Sequence, residues 1–185
     1  NSRFQDIEKE RGVILEEIAS VEDTPDELSH DLLSEYHWPD HPLGRPVSGY
    51  AETVATFRTK DFRSFYDTWY TPSNMVFSIA GKFDEEKVLR KVETAMCKKK
   101  NAPAPAMSNQ PRFQSGVKIA ERPISQTHIG LAFPGPSATD DDRFKCNMLT
   151  GALGGGGTAR LFEIIREKEG LAYSVYAYHT SHIHT

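Results

Sequence analysis

The sequence predicts an α+β fold: two-layer units in which an antiparallel sheet carries helices on one face, with two such units, both incomplete. Three observations predict it. Apolar residues at three- and four-residue steps mark several amphipathic helices, and short apolar or alternating runs between them have strand character. The stretch Asn101–Gly116, rich in Ala, Pro, Ser, Asn and Gln, interrupts that rhythm once. On both sides of it, helix and strand patterns alternate.

The elements follow in chain order. Ile7, Val13, Ile14, Ile18 and Val21 recur among Glu and Lys, predicting a helix from Asp6 to Val21. Thr24-Pro25-Asp26-Glu27 is a capping box with Pro at the first helical position, so a second helix runs to about Tyr36. His37–Gly49 holds three prolines and two glycines and reads as a long ordered loop, with His41 shaping it. Thr59 is expected to cap a helix from Lys60 to Trp69, which ends before Pro72. Met75–Ala80, stopped by Gly81, reads as a buried strand, and Asp84 caps a helix from Glu85 to Lys98. Past the linker come strands at Val117–Glu121 and Gln126–Phe133 and a helix from Asp140 to Leu153. Gly154–Gly157 reads as a flexible connection, since a phosphate cradle would need Gly-Lys-Ser/Thr where Ala159-Arg160 stands. Thr158 caps a last helix ending near Lys168 with Gly170 beyond it, and Leu171–Tyr178 alternates as a strand. Two domains joined by a linker are therefore expected: residues 1–100, the linker at 101–116, and residues 117–185.

Composition narrows the function classes. The 185 residues are 38% hydrophobic with a formal net charge of −4, enough to build one or two cores. The basic run Lys98-Lys99-Lys100 sits at a helix end, and no basic stripe suits nucleic acid. No apolar run approaches the roughly 18 residues that a membrane helix requires. Cys97 and Cys146 lack metal-type spacing, so free thiols and a cytoplasmic, reducing location are expected. The chain opens at Asn1 without an initiator Met and stops at Thr185 inside a strand-like pattern, so both ends read as cut.

Two constellations could carry chemistry. Glu10 and Glu17 stand seven residues apart on the first helix. Two helical turns cover about 7.2 residues, so both carboxylates leave nearly one face, roughly 10 Å apart along the axis. That separation does not suit direct sharing of one ion, and the spacing equally describes a solvated face rich in Glu. Arg166 lies in the last turn of a helix, Gly170 lets the chain reverse, and Tyr173 follows on the next strand. The reversal can bring a guanidinium and a phenol to one surface. The alternative is Arg166 paired with Glu163 or Glu169 and Tyr173 covering a sheet edge. His179, His182 and His184 do not make a metal clip, because on a strand His179 faces away from the other two.

The wider strings carry a resemblance. Glu8-Lys9-Glu10-Arg11-Gly12-Val13-Ile14-Leu15-Glu16-Glu17-Ile18, then Glu22-Asp23-Thr24-Pro25, His41-Pro42-Leu43-Gly44-Arg45-Pro46, Trp69-Tyr70 and Pro72-Ser73-Asn74-Met75-Val76 resemble the insulinase/pitrilysin family of zinc metallopeptidases, in its mitochondrial-processing-peptidase-like branch. Arg160-Leu161-Phe162 and Arg166-Glu167-Lys168-Glu169-Gly170-Leu171-Ala172-Tyr173 look like its second signature. The resemblance implies zinc-dependent endopeptidase action on unfolded peptides or presequences, inside a clam-shell of two homologous half-domains from one chain or a homodimer. It implies Glu17 as a zinc ligand, Glu10 as a supporting carboxylate, and Arg166 and Tyr173 as groups that grip the substrate. The family's His-x-x-Glu-His motif occurs nowhere in this sequence. The resemblance therefore implies an upstream segment carrying it, with this chain inactive alone, or else a non-catalytic member serving as partner subunit or scaffold.

Overall fold

Helix is the regular structure that these residues form. The computed structural model describes residues 4, 6–99, 102–103 and 110–185. Six α-helices occur among them: α1 (Ile7–Glu22), α2 (Pro25–His37), α3 (Ala51–Thr56), α4 (Thr59–Trp69), α5 (Glu85–Met96) and α6 (Asp142–Gly154). Short 3₁₀ turns lie at Pro42–Gly44 and Pro72–Asn74, and a π-helix spans Phe162–Lys168. No described helix is long and apolar enough to cross a membrane.

The expected α+β sandwich is overturned. Among the described residues there is no strand and no sheet. The runs 75–80, 117–121, 126–133 and 171–178 carry strand-type sequence but form no ladder. Their side chains are open instead: Ile119, Ile129, Leu131 and Phe133 are 79%, 81%, 78% and 80% exposed. A period of two specifies which way side chains point, whereas a strand also requires backbone partners from distant sequence. Those partners are absent for these runs among the described residues.

Local signals place the helices well. Pro25 opens α2 as expected, and Asp84 caps α5 by accepting from the Lys87 N–H at 3.0 Å. For α4 the boundary moves by one residue. Arg58 is the cap, and its backbone N–H donates to the Asp61 carboxylate at 2.8 Å. The final helix starts after Ala159 instead of at Thr158 and takes the wider π register. Helix α3 is too short and too rich in β-branched residues to be legible from propensity. It exists because α1 packs on it, with Ile18 and Val54 as the buried apolar residues of the two helices.

The chain divides into two compact units. The first comprises the described residues of Asn1–Leu28 and Pro46–Ser108. Here Arg11 ties α1 to the end of α3: its guanidinium donates to the Phe57 carbonyl at 2.6 Å and pairs with Glu8. After α5, Lys99 caps the end of α4 by donating to the Tyr70 carbonyl at 2.8 Å and the Tyr66 hydroxyl at 2.7 Å. The Lys99 ammonium also lies 4.0 Å from the centre of the Tyr66 ring.

The second unit comprises Ser29–Arg45 and the described residues of Asn109–Thr185. Buried His37 at the end of α2 stacks on Phe113, ring centres 4.5 Å apart. The His30 imidazole bonds two hydroxyls, Tyr176 at 2.7 Å and Tyr178 at 3.1 Å. Gly154 sits so close to Ala177 that a Cβ there would fall 2.2 Å from the Ala177 nitrogen. Residues 101 and 104–109 of the expected linker lie outside the described residues.

Candidate functional site

Arg166 and Tyr173 line one concavity of about 300 Å³, together with Glu167, Gly170, Leu171 and Ala172. The backbone explains the meeting. Gly170 has φ 62°, a left-handed conformation that glycine adopts without steric cost and that turns the chain back after the helix. The Leu171 N–H donates to the Ile165 carbonyl at 2.9 Å and locks the reversal. Tyr173, three residues past the glycine, then faces the same hollow as Arg166.

The π-helix decides what surrounds the guanidinium. In this wider register Lys168 reaches Glu163 at 3.1 Å, five residues away, and takes the carboxylate that an α-register would offer to Arg166. Arg166 pairs with its neighbour Glu167 instead, Nε to carboxylate oxygen at 3.7 Å. Its Cζ lies 4.7 Å from the centre of the Phe162 ring. Neither Glu163 nor Glu169 is its partner. Tyr173 is 82% exposed. The hollow therefore presents a cation and a phenol to solvent, a pair of donors suited to carbonyl or carboxylate oxygens.

Glu10 and Glu17 both lie on α1 and are both exposed. Among the described residues no group of three or more His, Cys, Asp or Glu side chains is arranged to hold a metal ion. Among the described residues, Glu10 and Glu17 are therefore carboxylates without imidazole company, and they do not by themselves make a zinc site.

Two histidine groupings invite the same question. His37-Trp38-Pro39-Asp40-His41 has the spacing of an inverted zinc motif with Asp in place of Glu. Pro39 follows the helix end at His37, so the two imidazoles do not share a helix face. His37 Nδ1 bonds the Gln114 carbonyl at 2.7 Å, and His41 Nδ1 accepts from the Leu43 N–H at 3.2 Å, which caps the 3₁₀ turn. His179 is likewise engaged, with Nδ1 3.1 Å from the Asn147 side-chain oxygen Oδ1 and Nε2 3.2 Å from the Pro136 backbone carbonyl. These imidazoles shape loops.

The glycine reversal after the helix, together with the family resemblance, points to Arg166 and Tyr173 but not to Phe162 and Glu167. The string Phe162-Glu163-Ile164-Ile165-Arg166 reads as an ordinary amphipathic turn, and nothing local announces the π register.

Comparison with known proteins extends these observations. A family model described as "Peptidase M16 inactive domain" matches residues 56–185. The chain is 41% identical over 184 residues to the uncharacterized zinc protease SCO5738 of Streptomyces coelicolor, covering 94% of this chain and 40% of that protein. It is 34% identical over 177 residues to the uncharacterized zinc protease YmxG of Bacillus subtilis, covering 96% of this chain and 43% of that protein. It thus spans less than half the length of these relatives. Among solved structures, a peptidase M16 inactive domain from Pseudomonas fluorescens superposes with a TM-score of 0.73 at 22% identity, over 96% of this chain and 43% of that one. A protease from Helicobacter pylori gives 0.72 at 16% identity, over 98% and 46%. At such identities the two structures speak to fold alone.

Proposed function

This chain belongs to the peptidase M16 family, and from that premise we propose that it forms the substrate-gripping part of a zinc-dependent endopeptidase acting on unfolded peptides. The observation that carries the reading is the shared concavity of Arg166 and Tyr173. An extended peptide offers a carbonyl every residue, and a guanidinium beside a phenol can donate to two of them without reading side chains. Arg166 in the last turn of the helix and Tyr173 past the locked Gly170 reversal hold the two donors at one spacing. Donors fixed before the substrate arrives need no reorganisation as negative charge develops on a carbonyl oxygen.

Glu17 is proposed as the carboxylate that this chain contributes to a zinc ion, with Glu10 as a supporting group. In such a site the metal supplies Lewis-acid polarisation of the scissile carbonyl. The two imidazoles of a complete ligand set would come from residues other than these. Alone, the chain is expected to be inactive.

One observation favours a second reading. The matching family model is described as an inactive domain. A non-catalytic member would keep the Arg166–Tyr173 hollow for peptide binding and serve as partner subunit or scaffold.

The discriminating measurement is peptide hydrolysis by the full-length protein carrying Arg166→Ala, with its zinc content determined in parallel. The endopeptidase reading expects a loss of about tenfold or more in kcat/KM at unchanged zinc, the worth of one charged hydrogen bond. Wild-type turnover in the variant overturns the assigned role of Arg166. A full-length wild type that binds peptide without hydrolysing it selects the second reading.

A further inference from the structure

We infer that Phe162 and Glu167 are positioning residues for Arg166, which hold its guanidinium in place without consuming its hydrogen-bond donors. The inference rests on the reading of Arg166 as a substrate-gripping group and deepens it.

A free arginine side chain loses about 2 kcal/mol of rotamer entropy when a ligand orders it. Anything that orders it beforehand lowers that cost, provided that the N–H groups stay available. Most partners fail this condition, because a carboxylate or carbonyl at hydrogen-bond distance takes the donors that the substrate needs. Here both partners meet it. The Phe162 ring, 4.7 Å from Cζ, attracts the cation through its π face and accepts no conventional hydrogen bond. Glu167 stands 3.7 Å from Nε, close enough for Coulomb attraction and too far for a hydrogen bond. Phe162 is half-buried and so is itself held.

The register is part of the device. The Glu169 N–H donates to the Ile164 carbonyl at 3.0 Å, five residues back, and widens the turn. Lys168 occupies Glu163 across that turn at 3.1 Å. The acidic residue able to make a close pair with Arg166 is thereby diverted, and the guanidinium is left between an aromatic face and one loosely paired carboxylate. The nearby carboxylate also selects among ligands. An incoming peptide carbonyl adds no charge to the hollow, whereas an acidic side chain or a terminal carboxylate gains less, because Glu167 already offsets part of the Arg166 charge. The class that fits is the neutral backbone of an extended peptide.

The test uses the full-length protein, depleted of zinc by chelation so that no turnover intervenes, and a fluorescein-labelled unstructured neutral peptide read by anisotropy. Phe162→Leu is expected to weaken binding about two- to fivefold, the worth of an exposed cation–π contact, and Phe162→Trp to restore it. In an Arg166→Ala background Phe162→Leu should have no further effect, because Phe162 acts through Arg166. Glu167→Gln should narrow the preference for the neutral peptide over one with an added acidic residue.

The inference is overturned if Phe162→Leu binds as wild type, or if its loss persists undiminished without Arg166. Arg166→Ala binding as tightly as wild type would remove the underlying site as well, and that arm separates the two failures. A readout on the unaltered protein stands apart from every variant: the Arg166 δ and ε protons should be shifted upfield by the Phe162 ring current. Their resonance at unperturbed positions would also sink the idea.

Discussion

His37 and Gln114 bond each other twice. The Gln114 backbone N–H donates to the His37 carbonyl at 2.8 Å, and His37 Nδ1 donates to the Gln114 carbonyl at 2.7 Å. A carbonyl oxygen can only accept, so Nδ1 must carry the proton. The end of α2 is thereby fastened to a segment far along the chain, with the Phe113 ring stacked on the imidazole.

His37→Phe is expected to keep the stack and lose the side-chain bond. The cost should be about 1 kcal/mol, since the freed carbonyl is not deeply buried and water can reach it. Thermal unfolding measures the loss, and faster amide exchange at Gln114 would locate it. An unchanged melting temperature would show that the bond contributes nothing net.

Gly154 and Gly151 make a matched pair on α6. A methyl on Gly154 would lie 2.2 Å from the Ala177 nitrogen, backbone that cannot step aside cheaply, whereas one on Gly151 meets nothing within 4 Å. Gly154→Ala should destabilise by about 1–3 kcal/mol through overpacking. Gly151→Ala should stabilise by about 0.5–1 kcal/mol through helix propensity. Opposite shifts in melting temperature are the expected signature.

The cap on α5 is expected to be acid-labile. The Lys87 backbone N–H, and then the Lys87 ammonium, hold the Asp84 carboxyl below its ordinary range. A carboxylate depressed in the folded state contributes stability that is present at neutral pH and is lost as pH falls through its folded value. Helicity and Lys87 amide protection should therefore decline in that acid range. Asp84→Asn should keep the cap and abolish the pH dependence at this site, while Asp84→Ala should lose the protection at every pH.

Zinc content is expected to separate the two carboxylates of α1. In the full-length protein, Glu17→Gln should abolish stoichiometric zinc, and Glu10→Gln should weaken affinity about 10- to 100-fold, as loss of a supporting partner does. Metal analysis after dialysis reads both. Full zinc retained by Glu17→Gln would remove it from the ligand set. The 185-residue chain alone, supplied with zinc, should show no hydrolysis.

Local chemistry was legible in the sequence wherever its cause lies within one turn. Pro25 at the start of α2, Asp84 three residues before Lys87, and Gly170 at positive φ each act on neighbours, and each sits where its residue type requires. The meeting of Arg166 and Tyr173 was likewise anticipated, because a helix end, a glycine and a following tyrosine define a reversal almost by themselves. Strand-type runs were legible as patterns and misleading as structure. Alternation at Gln126–Phe133 is a property of the segment, while pairing depends on what lies beside it.

The sequence by itself determined five of the six α-helices to within a few residues, the Asp84 cap, the glycine reversal and the family, because propensities and motifs act over a few residues. Tertiary structure alone decided that α3 forms against α1, that His37 fastens Gln114, and that a π turn sends Lys168 to Glu163 and leaves Arg166 to Phe162 and Glu167. The physical reason is range. A backbone register or a contact between distant residues is a free-energy difference between whole packings, and no short window of sequence contains both sides of it.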